Sequence, residues 1–220
     1  MIILTEQFWS PVRLSLEVAS LSLLLVLLFG IFLARFMYRR KFKGKLVVET
    51  VLLLPLVLPP TVVGFLLIMI FGMNSPIGRI IEGIFSEPIM FTWVAAVIAS
   101  TVVAFPLMYQ SCKTGFTSVD KGIEEAARVD GASEWKTFLF ITIPLSYKSI
   151  ISGAILSFAR ALGEFGATLM FAGNLPGKTQ TMPTAIYVAL ESGNMDLAWM
   201  WVIMTVFISF IMLLLSSLIK

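Results

Sequence analysis

The chain has 220 residues, 58% of them hydrophobic and 13% charged, and its apolar residues fall in runs too long for the interior of a soluble domain this size, which makes the lipid bilayer its solvent. No histidine is present and the one cysteine, Cys112, lies in an apolar run, so a metal site is not expected, an intrachain disulfide is excluded, and Cys112 reads as a small buried hydrophobe. The net charge of +3 comes from Lys and Arg clustered at the ends of apolar runs, which points to lipid and not to a nucleic-acid partner.

The first apolar run extends from Leu14 to Tyr38 and ends in Arg39, Arg40, Lys41, Lys43 and Lys45. It has neither the length nor the small-residue cleavage site of a signal peptide, so it is expected to stay as a helix. A helix needs about 20 apolar residues to cross the hydrocarbon core. Five segments qualify, roughly 12 to 38, 46 to 72, 91 to 112, 145 to 172 and 197 to 219. The expected fold is all-α and integral to the membrane, one transmembrane domain over residues 1 to 220 with no internal repeat.

An odd number of spans puts the termini on opposite sides. With the N-terminus outside, twelve of the 16 Lys and Arg fall inside: Arg35, Arg39, Arg40, Lys41, Lys43, Lys45, Lys113, Lys121, Arg128, Lys136, Lys148 and Lys220. Arg13, Arg79 and Lys178 fall outside, and Arg160 lies at membrane depth. The positive-inside rule selects this orientation, with a cytoplasmic C-terminus.

The second span carries Leu54-Pro55-Leu56-Val57-Leu58-Pro59-Pro60, and each proline removes a backbone donor and clashes one turn back. The helix should kink or break there. Either Pro59 and Pro60 shape a pathway-lining broken span, or neighbouring helices tolerate a kink.

Between the third and fourth spans, residues 115 to 144 read as two short cytoplasmic helices around a turn. Asp120 can cap the first, Glu124 and Glu125 suit its opening turn, and Ile123, Ala126 and Ala127 give it a small interior face. Glu124 can pair with Arg128, and Asp130-Gly131 offers a C-terminal turn. Ser133 can start the second helix, whose Trp135, Phe138, Leu139 and Thr142 share a face before Pro144 opens the next span. An amphipathic hairpin lying on lipid headgroups is the plain alternative.

The fourth span repeats small residues at Ser152, Gly153, Ser157, Ala161, Gly163, Gly166 and Ala167, a pattern that favours close packing and suits a dimer axis. Arg160 and Glu164 sit four apart at membrane depth, where an internal ion pair is favoured over an anion-attracting Arg160. Thr101, Ser157 and Thr168 are polar candidates for lining a path, although hydroxyls also bond their own helix. Gly173-Asn174-Leu175-Pro176-Gly177-Lys178-Thr179 is one residue short of a phosphate-binding loop and follows no strand, so the chain should not hydrolyse ATP. Whether residues 180 to 195 lie on the outer surface or dip into the membrane is left open.

Glu125-Ala126-Ala127, Gly131, Ile141 and Pro144 resemble the signature loop of membrane subunits of binding-protein-dependent ABC importers, with Ile143 in place of the usual Leu. The resemblance implies the type I ABC importer permease fold. It also implies a coupling helix in which Glu125, Ala126, Ala127, Asp130, Gly131, Ile141 and Pro144 dock on a separate ATPase. The segment from Phe158 to Thr181 and the Leu-Pro-Leu-Val-Leu-Pro-Pro string resemble molybdate transporter permeases in particular. Sulfate permeases generally have Gly-Glu-Tyr-Gly-Ser where this chain has Gly163-Glu164-Phe165-Gly166-Ala167. From the resemblance follow a homodimer, two ATPase subunits that bind ATP and Mg, an external oxyanion-binding protein, and no cofactor in this chain. Tungstate and sulfate are the alternative cargoes. An ion-coupled secondary transporter should instead show internal repeats and more intramembrane acids than Glu164.

Overall fold

The structure, a computed structural model, describes residues 6–218. Lys220, counted above among the inside charges, and Ile219, the last residue of the fifth expected span, lie outside the described residues. Among the described residues all regular structure is helical.

Helix α1 (Glu6–Arg39) has 34 residues, about 50 Å at 1.5 Å per residue. Its Ser15, Ala19, Ser22, Val26, Gly30 and Ala34 recur every three or four positions and are buried. This small-residue stripe packs along the central helix α5 (Trp93–Ser118). A Cβ at Gly30 would stand 2.8 Å from Met108 Cγ, and the Ser22 hydroxyl donates to the Val97 carbonyl at 3.1 Å. Close approach and hydroxyl bonding replace the hydrophobic drive that lipid cannot supply. Cys112 is fully buried in α5 beside Tyr109 and Phe116.

The second span is two helices, α2 (Lys45–Val57) and α3 (Pro60–Phe71), which turn on each other through 119°. The residue before a proline is driven out of the α region. Two successive prolines do this twice, leaving Leu58 at φ −67, ψ 141 and Pro59 at φ −53, ψ 138. Pro60 then fits the first helical position, where its missing N–H costs nothing. Pro55 does not break the chain, contrary to the expectation for each proline, because a single missing donor leaves the flanking turns of α2 intact. A short helix α4 (Pro76–Phe85), capped by Ser75, leads to α5.

Helix α5 runs on through Ser118, so the interval expected from Gly115 starts inside a helix. Gly115 serves the packing of that helix, since a Cβ there would meet Ser149 Cβ at 2.7 Å. Next come α6 (Lys121–Val129), α7 (Glu134–Thr137), a π-helical turn (Phe138–Thr142) and α8 (Ile143–Leu145). The chain bends 72° at Ser146 into α9 (Tyr147–Leu162). The sequence places the start of the fourth span just after Pro144, but the straight helix begins at Tyr147, beyond the turn that the π segment and proline deform.

The fourth span breaks again at Gly163 to Phe165 before α10 (Gly166–Phe171), so Arg160 and Glu164 do not share one continuous helix. Helices α11 (Met182–Glu191) and α12 (Met195–Leu218) complete the chain. Met182, Thr184, Ala185 and Ala189 of α11 are buried, and the Met182 N–H donates to Ser15 Oγ at 2.7 Å. The 180 to 195 stretch therefore packs within the bundle against α1 and α12. Helices α1, α5 and α12 are each long and apolar enough to cross a membrane, and counting each bent pair as one span gives five.

Two of the small residues of the fourth span, Gly153 and Gly166, are used in packing within the chain. A Cβ at Gly153 would stand 2.5 Å from Ser111 Cβ, and one at Gly166 would stand 2.9 Å from Pro60 Cβ. Across the same α3–α10 contact a Cβ at Gly64 would meet Met170 Cβ at 2.9 Å. The two broken spans are packed on each other at their breaks.

Candidate functional site

The interval between α5 and α9 builds a compact unit. Asp120 accepts a hydrogen bond from the Gly122 N–H at 2.7 Å and caps α6. The helix stops in a Schellman turn, with Gly131 N bonded to the Arg128 carbonyl at 3.0 Å and Ala132 N to the Ala127 carbonyl at 2.9 Å. Gly131 sits at φ +88 with open space where a Cβ would be, so its requirement is conformational and not one of crowding. Ser133 caps α7 by accepting from the Lys136 N–H at 3.3 Å.

Helix α6 is inverted relative to an ordinary surface helix. Its one buried residue is Glu124, whereas Ile123, Ala126 and Val129 face outward, Val129 being 88% exposed. The small face formed by Ile123 and Ala126 is thus an outer face, not the interior one that their spacing suggests. Glu125, Asp130 and Gly131 are exposed beside it, and Ala127 is half-buried. Of the face expected on the second helix, Phe138 and Thr142 are buried while Trp135 and Leu139 are exposed, because the π turn rotates successive residues away from α-helical register. Ile141 is half-buried and Pro144 exposed.

Inward, Glu124 accepts from Thr142 Oγ1 at 2.6 Å, Arg39 at 2.9 Å and Arg128 at 3.3 Å. Glu134 adds a second acid, bonded to Arg39 and, at 3.3 Å, to Arg35. Its Oε1 also lies 2.9 Å from Arg128 Nε, an ion-pair contact without hydrogen-bond geometry. Partial burial works against ionisation of the Glu134 carboxyl, but the guanidiniums of Arg39, Arg128 and Arg35 outweigh it and hold the group below the ordinary carboxylate range. The Arg35 guanidinium lies 4.6 Å over the Phe138 ring. Only the Glu124–Arg128 pair follows from sequence spacing; the contacts of Arg35 and Arg39 do not. Their signal was available in kind, as two arginines four apart at the end of a span, and the fold supplies the acids that meet them.

The second candidate cluster lies at the broken fourth span. Arg160 Nη1 donates to Glu164 Oε2 at 2.7 Å, the internal ion pair favoured from the sequence. Glu164 Oε1 also accepts from the Ala167 N–H at 2.8 Å, so one carboxylate neutralises Arg160 and caps α10. Ser157 donates to the Ala104 carbonyl at 3.4 Å and has no exposed surface. Thr168 is fully buried, and its hydroxyl, like that of Thr101, has no hydrogen-bond partner among the described residues. Pro59 and Pro60 are exposed at the α2–α3 break. The Gly173 to Thr179 string is a tight loop in which Thr179 Oγ1 accepts from the Leu175 N–H at 2.9 Å, so that hydroxyl is committed to the turn.

The profile of the binding-protein-dependent transport system inner membrane component family matches residues 26–220. The chain belongs to that family. It is 62% identical over 208 residues to the putative molybdenum transport system permease protein YvgM of Bacillus subtilis (strain 168), covering 94% of this chain and 92% of that one. It is 46% identical over 190 residues to the molybdenum transport system permease protein ModB of Escherichia coli (strain K12), covering 86% and 83%. The sulfate transport system permease protein CysW of Synechococcus elongatus is 32% identical over 209 residues, covering 95% of this chain and 73% of that one.

Among solved structures, a bacterial alginate ABC transporter in complex with an alginate pentasaccharide-bound periplasmic protein contains a chain that matches with a TM-score of 0.77. The identity is 20%, over 98% of this chain and 78% of that one. A chain of the inward-facing MetNI methionine ABC transporter matches with a TM-score of 0.71 and 15% identity, over 96% and 94%. These likenesses establish the fold: this inner membrane component has the type I ABC importer permease architecture.

Proposed function

We propose that this chain is the permease subunit of an ATP-driven molybdate importer. It works as a homodimer, with two copies of a separate ATPase that bind ATP and Mg and with an external oxyanion-binding protein. The observation that carries the reading is the inverted helix α6. An apolar face of Ile123, Ala126 and Val129 held outward by a buried carboxylate suits contact with a partner surface. The ATPase is that surface, and Glu125, Ala126, Ala127, Asp130 and Gly131 form the contact with it. Ile141 and Pro144 hold the return path into α9. The Glu124 and Glu134 ion pairs tie α6 to the end of α1, and Thr142 ties it to the approach to α9. ATPase closure therefore moves spans and loop as one body. In this reading the loop is cytoplasmic and the N-terminus external, as the Lys and Arg distribution requires.

The identities favour molybdate over sulfate, at 62% to a molybdenum permease against 32% to a sulfate permease. Tungstate has nearly the same size and charge and belongs to the same class of cargo. The test is reconstitution with the ATPase and binding protein in proteoliposomes, measuring ATP hydrolysis stimulated by molybdate, tungstate and sulfate. Stimulation by the first two with a response to sulfate at least tenfold weaker is expected. Equal stimulation by sulfate would remove the substrate assignment.

A further inference from the structure

The basic end of α1 is only partly neutralised. Arg35 and Arg39 meet Glu134, and Arg39 and Arg128 meet Glu124. Arg40 is exposed and meets no carboxylate among the described residues; its guanidinium lies 4.4 Å over the Phe36 ring. Arg35 Nη1 also has no hydrogen-bond partner among the described residues, so Glu134 does not use up the donors of that fork. Four guanidiniums, those of Arg35, Arg39, Arg40 and Arg128, stand against two carboxylates, which leaves the cluster at +2 before the exposed Lys41 and Lys43 are counted.

An open groove of about 520 Å³ runs beside these charges. Phe32 and Phe36 of α1 and Trp135 of α7 form its apolar walls, while Arg35, Arg39 and Arg40 bring the positive charge and Glu134 the acid that already binds the first two. The apolar wall extends beyond the groove. Leu24, Leu28, Phe32 and Phe36 are all exposed and recur every four positions, which makes one continuous stripe along α1. From Leu24 to Phe36 the stripe is about 18 Å long at 1.5 Å per residue, close to half of a hydrocarbon core about 30 Å thick. Arg40 and Trp135 therefore stand where that leaflet gives way to its headgroups, the depth at which tryptophan and arginine are at home.

We propose that this groove binds an anionic phospholipid from the leaflet on the loop side of the membrane. Arg40 holds the phosphate, with the remaining positive charge of Arg35 and Arg39 behind it, and an acyl chain lies along the stripe from Phe36 to Leu24. One phospholipid supplies both complements, an anion at headgroup depth and a hydrocarbon chain one leaflet long. A partner protein would need an acid and an apolar ridge in the same register. The proposal needs only insertion of this chain in a membrane and does not depend on the cargo.

The experiment uses the complete permease–ATPase complex, stripped of lipid in detergent and titrated with phosphatidylglycerol or with phosphatidylcholine of the same chains. Bound lipid is counted by native mass spectrometry. Phosphatidylglycerol should bind at least tenfold tighter than phosphatidylcholine. Arg40→Gln should weaken phosphatidylglycerol binding about tenfold, the scale of losing a charge-assisted hydrogen bond, and leave phosphatidylcholine unaffected. Arg40→Lys should recover most of the binding, Phe32→Ala/Phe36→Ala should weaken both lipids, and Arg79→Gln on α4 should match the unaltered chain. Arg40, Phe32 and Phe36 are exposed, so these variants should fold and still co-purify with the ATPase. Unchanged phosphatidylglycerol affinity in Arg40→Gln would overturn the proposal. So would equal competition by glycerol 3-phosphate, which would leave the apolar wall without a role. Loss of ATPase co-purification in Arg40→Gln with lipid binding intact would assign the groove to the ATPase instead, and full disulfide cross-linking of Phe32→Cys between two copies in membranes would assign it to a second copy of the chain.

Discussion

Glu124 and Arg39 are 85 positions apart in sequence, and their side chains meet at 2.9 Å. The contact joins the end of the first span to the helix that carries the outward apolar face, and Thr142 extends it at 2.6 Å toward the fourth span. Removing the carboxylate strands two guanidiniums that are only partly buried and can turn to water. Glu124→Ala should therefore destabilise the loop by about 2 kcal/mol, below the range for a fully buried pair. Limited trypsin digestion should read this as faster cleavage after Lys121 and Arg128 while the spans stay intact. Thr142→Val, which removes one hydrogen bond, should cost about 1 kcal/mol.

Much of the fold was legible because lipid imposes a simple rule on apolar run length: three of the five runs became single helices long enough to cross a membrane, and the second and fourth became broken ones. The α6 caps at Asp120 and Gly131 were legible too, since they are local chemistry. The directions of α6 were not. Helical spacing groups Ile123 with Ala126 and Ala127 but does not say whether that group faces the bundle or a partner. The answer depends on Arg39 and Thr142, both remote in sequence. The break at Gly163 to Phe165 was hidden for a related reason: glycine is common inside membrane helices and does not by itself mark a break, and the Glu164 cap on Ala167 that makes a new helix start exists only in the fold.

The outward face can be tested apart from stability. Val129 is 88% exposed, so Val129→Glu should change the melting temperature little, within the roughly 0.5 kcal/mol of ordinary surface changes. It should nevertheless reduce co-purification of the ATPase at least tenfold, because it places a charge in an apolar contact. A normal yield of complex would remove Val129 from the docking surface. Glu125→Lys combined with Gly131→Pro should likewise abolish association while membrane insertion continues, which protease protection in membrane vesicles can follow.

The α3–α10 contact should be intolerant of added volume. Gly166→Ala puts a methyl 2.9 Å from Pro60 Cβ, and Gly64→Ala puts one 2.9 Å from Met170 Cβ and 3.1 Å from Ala167 Cα. Each should cost about 1–3 kcal/mol, seen as a lower Tm of the purified chain in detergent. Gly83→Ala in α4 has nothing within 4 Å of the new methyl, and should be neutral or stabilise by up to about 1 kcal/mol through helix propensity.

Glu164 has two tasks that substitution can separate. Glu164→Gln keeps an oxygen for the Ala167 N–H but removes the partner of Arg160, while Glu164→Leu removes both. The first should cost about 1–2 kcal/mol, tempered because the Arg160 side chain is 31% exposed, and the second about 1 kcal/mol more for the lost cap. Arg160→Leu with Glu164→Leu should cost less than the two single changes added together, since removing both charges leaves neither one stranded. Transport kinetics then decide what Arg160 does. A residue that holds the span together changes Tm and the amount of assembled transporter but leaves KM for molybdate uptake unaltered. A residue that attracts the anion raises KM when replaced by Gln. With its guanidinium already held 2.7 Å from Glu164, Arg160→Gln should leave KM within about twofold of the unaltered value while lowering Tm.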